Sequence, residues 1–351
     1  MSEPERLKLV VMMAALNEEK TIAAVIDGIP SDLGVPADVA VIVVDDGSTD
    51  ATAQIARQKG AIVVSHARCR GLGRSFADGL ERALEEGADI IVNIDADGQF
   101  DAGDIPALIR PILDGQADFV TATRFARSDM LPQMPWAKKW GNMQMSRLVN
   151  LVTGSTDLTD VSCGFRAYNL KAALHVHLSG HFTHVHETII DLASKGLRLT
   201  EVPLKVRGVR PHGRSRIAGF LPLYALRAGT MVLRTLCRSR PVVVFGLMGG
   251  GAIGLGLALG MTVFVHWMLT GQTSPVRSLL IGASLFMTIG FMIWVLGLLA
   301  DMLNRVIDIA ERLLFLTKLA PYRASRGGNE AAQKGAPPEA GPERITDNPG
   351  P

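Results

Sequence analysis

The sequence predicts an α/β fold, a mostly parallel sheet with helices on both faces, followed by two membrane-length helices. Apolar runs and helical segments alternate from residue 7 to residue 206, the pattern of repeated strand-helix-strand units. Two of those runs end in acidic turns, Asp45-Asp46-Gly47-Ser48-Thr49-Asp50 and Asp95-Ala96-Asp97-Gly98-Gln99-Phe100, and acidic strand ends on one parallel sheet face a common crevice. Val242–Trp267 and Ser278–Ala300 contain no Asp, Glu, Lys or Arg. Each can cross a hydrocarbon core of about 30 Å as a helix.

The elements follow in order. Leu7–Ala14 reads as a strand ending at Ala15-Leu16-Asn17-Glu18-Glu19, and Thr21–Ile29 as a helix. Val39–Val44 is a second strand, and Asp50 caps a helix over 50–59. Strands at Ala61–Ser65, Ile90–Ile94 and Phe119–Thr123 alternate with helices at Gly73–Gly87 and Ile105–Leu113. Residues 140–153 and 184–195 read as helices, 163–168 as a strand, and Leu199–Val206 as a late strand. A Gly- and Arg-rich stretch, 207–216, leads into an amphipathic pattern over 219–238, and 301–318 repeats that pattern; both suit helices in the membrane interface. The tail from Ala324, rich in Gly, Pro and charge, reads as disordered. The expected organisation is a cytoplasmic domain at 1–218, an amphipathic helix at 219–240, two spans within 241–300, an amphipathic helix at 301–320 and a tail at 321–351.

Composition narrows the class. At 351 residues and 48% hydrophobic content the chain exceeds one typical soluble domain. A net charge of +2 gives no basis for nucleic-acid binding. Cys69, Cys163 and Cys237 are odd in number and lack metal-ligand spacing, which suits a reducing compartment. The charged start, Met1–Lys8, runs straight into a strand, so no secretory signal is expected. Arg234, Arg238 and Arg240 precede the first span and Arg305, Arg312 and Lys318 follow the second, against Arg277 between them. Both termini are therefore expected in the cytoplasm, with a bacterial inner membrane as the setting. Gly246, Gly250, Gly254, Gly256 and Gly260 suit close helix packing, including self-association into a homo-oligomer, or the ordinary tolerance of membrane helices for glycine. The histidines at 175, 177, 181, 184 and 186 lack the spacing of a zinc site and read as a surface loop near the membrane.

Two carboxylates spaced i, i+2 at a strand end can share one hard cation, although Asp-x-Asp also occurs in plain turns. The second acidic strand end raises the weight of the metal reading for Asp95, Asp97 and Gln99.

Taken in order, Asn17-Glu18-Glu19, the acidic turns at 45–50 and 95–100, Thr123-Arg124-Phe125, Cys163-Gly164-Phe165-Arg166-Ala167-Tyr168, Glu201-Val202-Pro203 and Arg210-x-x-Gly213-x-Ser215-Arg216 resemble family 2 glycosyltransferases of GT-A fold. Within them the chain is similar to polyprenyl-phosphate glycosyltransferases such as dolichol-phosphate mannose synthase. The resemblance covers about residues 8–218. It implies a nucleotide-diphosphate sugar held by Ala14, Leu16, Glu18, Asp45, Asp46, Asp95, Asp97 and Gln99, with Mg²⁺ or Mn²⁺ at Asp95, Asp97 and Gln99. Ala14 and Leu16 depart from the Pro and aromatic residue common in the family. It also implies a polyprenyl phosphate acceptor met by Arg124, Lys138, Lys139, Arg210, Ser215 and Arg216, and catalysis resting on Asp97, Arg124, Arg210 and Glu187. Glu187 lies where many members carry a base-like carboxylate, and it equally suits a cap or ion pair. Lys138 and Lys139 equally suit a solvated pair. The rival expectations are transfer to a hydroxyl of a glycolipid or polysaccharide precursor, and an inactive membrane scaffold or sugar-lipid transport partner. No Gln-x-x-Arg-Trp signature of processive enzymes is present.

Overall fold

The computed structural model describes residues 6–126, 136–154, 158–176, 184–206 and 241–333, with side chains at all but 137, 138, 152, 184 and 326–333. The apolar runs become β1 (Leu7–Ala15), β2 (Ala37–Asp45), β3 (Ile62–Ser65), β4 (Ile90–Asn93), β5 (Phe119–Thr123), β6 (Arg166–Asn169) and β7 (Leu199–Pro203). Between them lie α1 (Ile22–Asp27), α2 (Thr52–Gln58), α3 (Leu72–Glu85), α4 (Ile105–Leu113), α5 (Trp136–Thr153), α6 (Leu170–His175) and α7 (His184–Ser194). Two long helices follow, α8 (Pro241–Thr270) and α9 (Arg277–Gln333).

The strands form one sheet in the order β3-β2-β1-β4-β6-β5-β7. All pairings are parallel except those of β6, which runs against both β4 and β5. Alternate side chains of the central strands feed opposite faces. Leu9, Val11, Met13, Val43 and Val92 join the core under α1, α2 and α4, and Val10, Met12, Ile42, Val44 and Ile91 join the core that includes Phe76 of α3 and Tyr168. Burying each such side chain contributes about 1.5–3 kcal/mol, which is why β1 and β2 read as continuous apolar runs rather than alternating ones.

α8 and α9 pass the length and apolarity test for membrane spans, and 11% of each apolar window is buried. A core helix of a soluble domain would be mostly covered, so these faces suit lipid. The two helices pack through glycine: a Cβ at Gly249 would stand 2.6 Å from the Gly290 carbonyl oxygen, and one at Gly256 would stand 2.8 Å from Met287 Cγ. Of the glycines expected to pack, Gly256 makes the close approach and Gly260 an ordinary contact, whereas Gly246, Gly250 and Gly254 face open space; Gly249, Gly290 and Gly297 supply the rest of the close packing.

The amphipathic stretch at 301–318 is not a separate interfacial helix. α9 runs through it without a break to Gln333, past the point where the tail was expected to begin. Its apolar residues have a protein surface to cover: Phe315 and Leu319 pack on the core beside Leu174 and Val176, and His175 lies 4.9 Å from the Phe315 ring. Lys318 Nζ donates to the Val176 carbonyl at 2.6 Å, and Tyr322 donates to Asp89 at 3.1 Å. Lys195 pairs with Glu311 at 3.0 Å. A helix apolar enough to span a membrane is thus fastened to the sheet domain. The amphipathic segment at 219–238 lies outside the described residues.

Candidate active site

The chain runs from β1 outward through β2 and β3, then returns to place β4 on the other side of β1. That reversal opens a crevice at the carboxyl ends of β1 and β4, where open α/β sheets bind ligands. The loops after β1, β2 and β4 border it, and these carry the residues the sequence singled out.

The loops after β1 and β2 are laced together. Asn17 sits in the left-handed region (φ 57°), its N–H donates to Ser48 Oγ at 2.9 Å, and its side-chain oxygen accepts from the Thr49 N–H at 2.8 Å. Glu18 N–H donates to Thr52 Oγ1, and Glu19 Oε2 accepts from the Ala51 N–H. Asp50 accepts from the Thr52 N–H at 3.0 Å, but α2 begins at Thr52 with Ala51 at its N-cap, so Asp50 stands one residue before the capping position. Ala14, level with Val44, and Leu16 are half-buried at the crevice floor. Asp45 Oδ1 accepts from the Ser48 N–H at 3.0 Å.

Asp46 faces inward. Its Oδ1 accepts from the Arg70 N–H and His66 Nδ1, both at 2.8 Å, and its Oδ2 from the Gly71 N–H at 2.9 Å and Cys69 Sγ at 3.1 Å. Burial alone would raise its pKa, but those bonds outweigh it and hold the carboxyl down at about 2. The carboxylate therefore organises the loop after β3.

At β4 the acidic pair is split in depth. Asp97 is 2% exposed, and its Oδ1 accepts from the Gln99 N–H at 3.0 Å across a turn that needs Gly98 at φ 72°. Asp95 is half-buried against the loop before β6, where a Cβ at Gly164 would stand 2.9 Å from Asp95 Oδ2. That close approach requires glycine. The donor set is all oxygen, suited to Mg²⁺ or Mn²⁺, which keep several positions for water and phosphate. Among the described residues no group of three or more His, Cys, Asp and Glu is arranged to hold a metal ion, and a cation of this type needs only one or two carboxylates, with water and phosphate in its other positions.

Arg124 follows β5 and is engaged. Its Nε and Nη2 donate to the two oxygens of Asp160 at 2.6 and 2.9 Å, with Arg124 14% exposed and Asp160 fully buried. Burial would lower the Arg124 pKa, but the Asp160 bonds and charge, with Asp95 adding to them, raise it. The guanidinium is a fixed cation beside Asp95 rather than a loose arm. Asp160 was not singled out from the sequence; its only cue is its place three residues before Cys163-Gly164-Phe165-Arg166.

Arg166, 1% exposed, holds this wall by donating to the carbonyls of Cys163, Val185 and Val161. Ser162 Oγ lies 3.2 Å from His186 Nε2. Burial, helped by Arg166 and opposed by Asp160, pushes His186 down to about 4, so it is neutral near pH 7. Burial likewise pushes the Cys163 thiol up to about 12, which leaves no thiolate nucleophile there. Glu187 is half-buried in the first turn of α7. Lys139 is half-buried near the start of α5, and the Lys138 side chain lies outside the described residues. So do Arg210, Ser215 and Arg216.

The family model described as Glycosyl transferase family 2 matches residues 10–176. An uncharacterized protein of Methanocaldococcus jannaschii is 32% identical, over 64% of this chain and 93% of that protein. The UDP-N-acetylglucosamine–dolichyl-phosphate N-acetylglucosaminyltransferase of Methanococcus voltae is 30% identical, over 56% of this chain and 84% of its own. The undecaprenyl-phosphate 4-deoxy-4-formamido-L-arabinose transferase of Edwardsiella ictaluri is 28% identical, over 76% of this chain and 79% of its own.

Proposed function

The chain belongs to glycosyl transferase family 2, and from that premise we propose that it moves a hexose from a nucleotide-diphosphate sugar to a polyprenyl phosphate at the cytoplasmic face of a membrane. The carrying observation is the direct fastening of α9, with its apolar span, to the sheet domain that bears the acidic crevice. Two relatives named for dolichyl-phosphate and undecaprenyl-phosphate transfer support the same reading.

The donor's nucleoside lies along the laced loops after β1 and β2, at Ala14, Leu16, Glu18, Asp45 and Asp46, and its diphosphate lies at β4. Asp95 and Asp97, with Gln99 beside them, would hold a divalent cation, which would neutralise charge on the diphosphate leaving group. A lipid phosphate is ionised near neutral pH, so its oxygen attacks the anomeric carbon without a strong general base. The bond from that carbon to the diphosphate breaks on the opposite side, and the configuration inverts. Two anions must then approach each other. Arg124, anchored by Asp160, is a stationary positive charge at the donor side, and Arg210, Ser215 and Arg216, with Lys138 and Lys139, are assigned to the acceptor phosphate.

Membranes containing the protein, given polyprenyl phosphate with labelled UDP- and GDP-sugars in turn, should form a lipid-linked sugar that mild acid releases. A product whose sugar is joined to a hydroxyl, with activity carried by Glu187, overturns this reading.

A further inference from the structure

The donor-site reading leaves one buried charged cluster without a task. His66 follows β3, and its N–H donates to the Asp45 carbonyl. Its side chain is 5% exposed, with Nδ1 2.8 Å from Asp46 Oδ1 and Nε2 2.8 Å from Asp78 Oδ2. Each carboxylate also has other donors. Asp46 takes the N–H groups of Arg70 and Gly71 and the Cys69 thiol. Asp78 takes the Arg74 fork, Nη2 at 2.6 Å and Nε at 3.0 Å, with Arg70 Nη1 at 3.9 Å. The His66 ring thus bridges the two carboxylates, one nitrogen to each.

The cluster acts on the crevice through the Arg68–Gly71 loop. Gly47, in the acidic turn after β2, touches that loop so closely that a Cβ would stand 2.8 Å from the Arg68 carbonyl carbon and 2.9 Å from the Cys69 nitrogen. The position of the loop and that of the β2 turn are thus one variable. We propose that His66 is a positioning residue for the nucleotide donor: it ties Asp46 at the end of β2 to Asp78 on α3, and so fixes the Arg68–Gly71 loop against the donor crevice. This rests on the assignment of the β2 turn to the nucleoside.

The test titrates the full-length protein in detergent with UDP and with GDP in the presence of Mn²⁺. His66→Gln is expected to bind the nucleotide about tenfold more weakly and to raise the donor KM by a similar factor, with kcat within about threefold. Binding by His66→Gln within about twofold of wild type, or a loss that falls on kcat rather than on the donor KM, overturns the proposal. Where His66→Gln fails to fold, Asp78→Asn carries the same test, since it leaves every bond of Asp46 to the loop in place and removes the carboxylate that His66 shares with Arg74 and Arg70. Unchanged binding by that variant overturns the proposal. A wild-type protein that binds neither nucleotide overturns the donor-site assignment and this inference with it.

Discussion

Asp160→Asn is the sharpest probe of the wall that holds Arg124. In the native protein Asp160 Oδ2 receives Arg124 Nε at 2.6 Å and Oδ1 receives Nη2 at 2.9 Å, while the Ser162 N–H also reaches Oδ1 at 3.2 Å. An asparagine keeps the shape but turns an NH₂ group toward one of those donors and leaves a guanidinium at 14% exposure without its paired carboxylate. Removing one partner of a buried pair costs about 3–5 kcal/mol. The slight exposure of Arg124 points to the lower end, about 3 kcal/mol, or a fall of about 6–12 °C in Tm for a domain near this size. The assay is thermal unfolding of the full-length protein in detergent. The double variant Arg124→Met with Asp160→Leu should be more stable than Asp160→Asn, because it removes the stranded charge. A Tm for Asp160→Asn within about 1 °C of wild type would refute the reasoning.

Burial keeps His186 neutral in the folded protein, with a pKa of about 4; the unfolded chain binds that proton below about pH 6.5. Its contribution is therefore complete above about pH 6.5 and is lost as pH falls toward 4, up to about 3 kcal/mol. In urea titrations across that window His186→Gln should show a loss smaller by about that amount, and an unchanged slope would contradict the assignment. Asp97→Asn should lower turnover on the order of a thousandfold with Tm nearly unchanged, and full activity in excess chelator would exclude the metal role of the pair. Reporters fused after Lys318 should read cytoplasm and one inserted near Gln272 the opposite side; the same side for both would rule out two spans.

The parallel half of the sheet was legible because β1, β2 and β4 are buried on both faces and carry uninterrupted apolar runs. The antiparallel placement of β6 between β4 and β5 was not, since a four-residue strand contains no record of its direction. The acidic turns stood out because carboxylates clustered after apolar runs have few structural reasons to be there. Asp160 and His66 did not, because their importance comes from partners far along the chain, Arg124 and the Asp46-Asp78 pair. The continuity of α9 was hidden for a related reason: an amphipathic helix looks alike whether its apolar face meets lipid or, as for Phe315 and Leu319, a protein core.

The central claim, transfer to a lipid phosphate, is tested most directly by acceptor dependence in one assay. Purified full-length protein with Mn²⁺ and labelled nucleotide sugar should form an organic-soluble product only when polyprenyl phosphate is added, and mild acid should release the sugar from it. Arg210→Ala should lose transfer about tenfold to a hundredfold while retaining donor binding, and Glu187→Gln should retain substantial activity. Labelling of a polyprenyl alcohol or a glycolipid hydroxyl in place of the phosphate, with loss of activity in Glu187→Gln rather than in Arg210→Ala, would contradict the account.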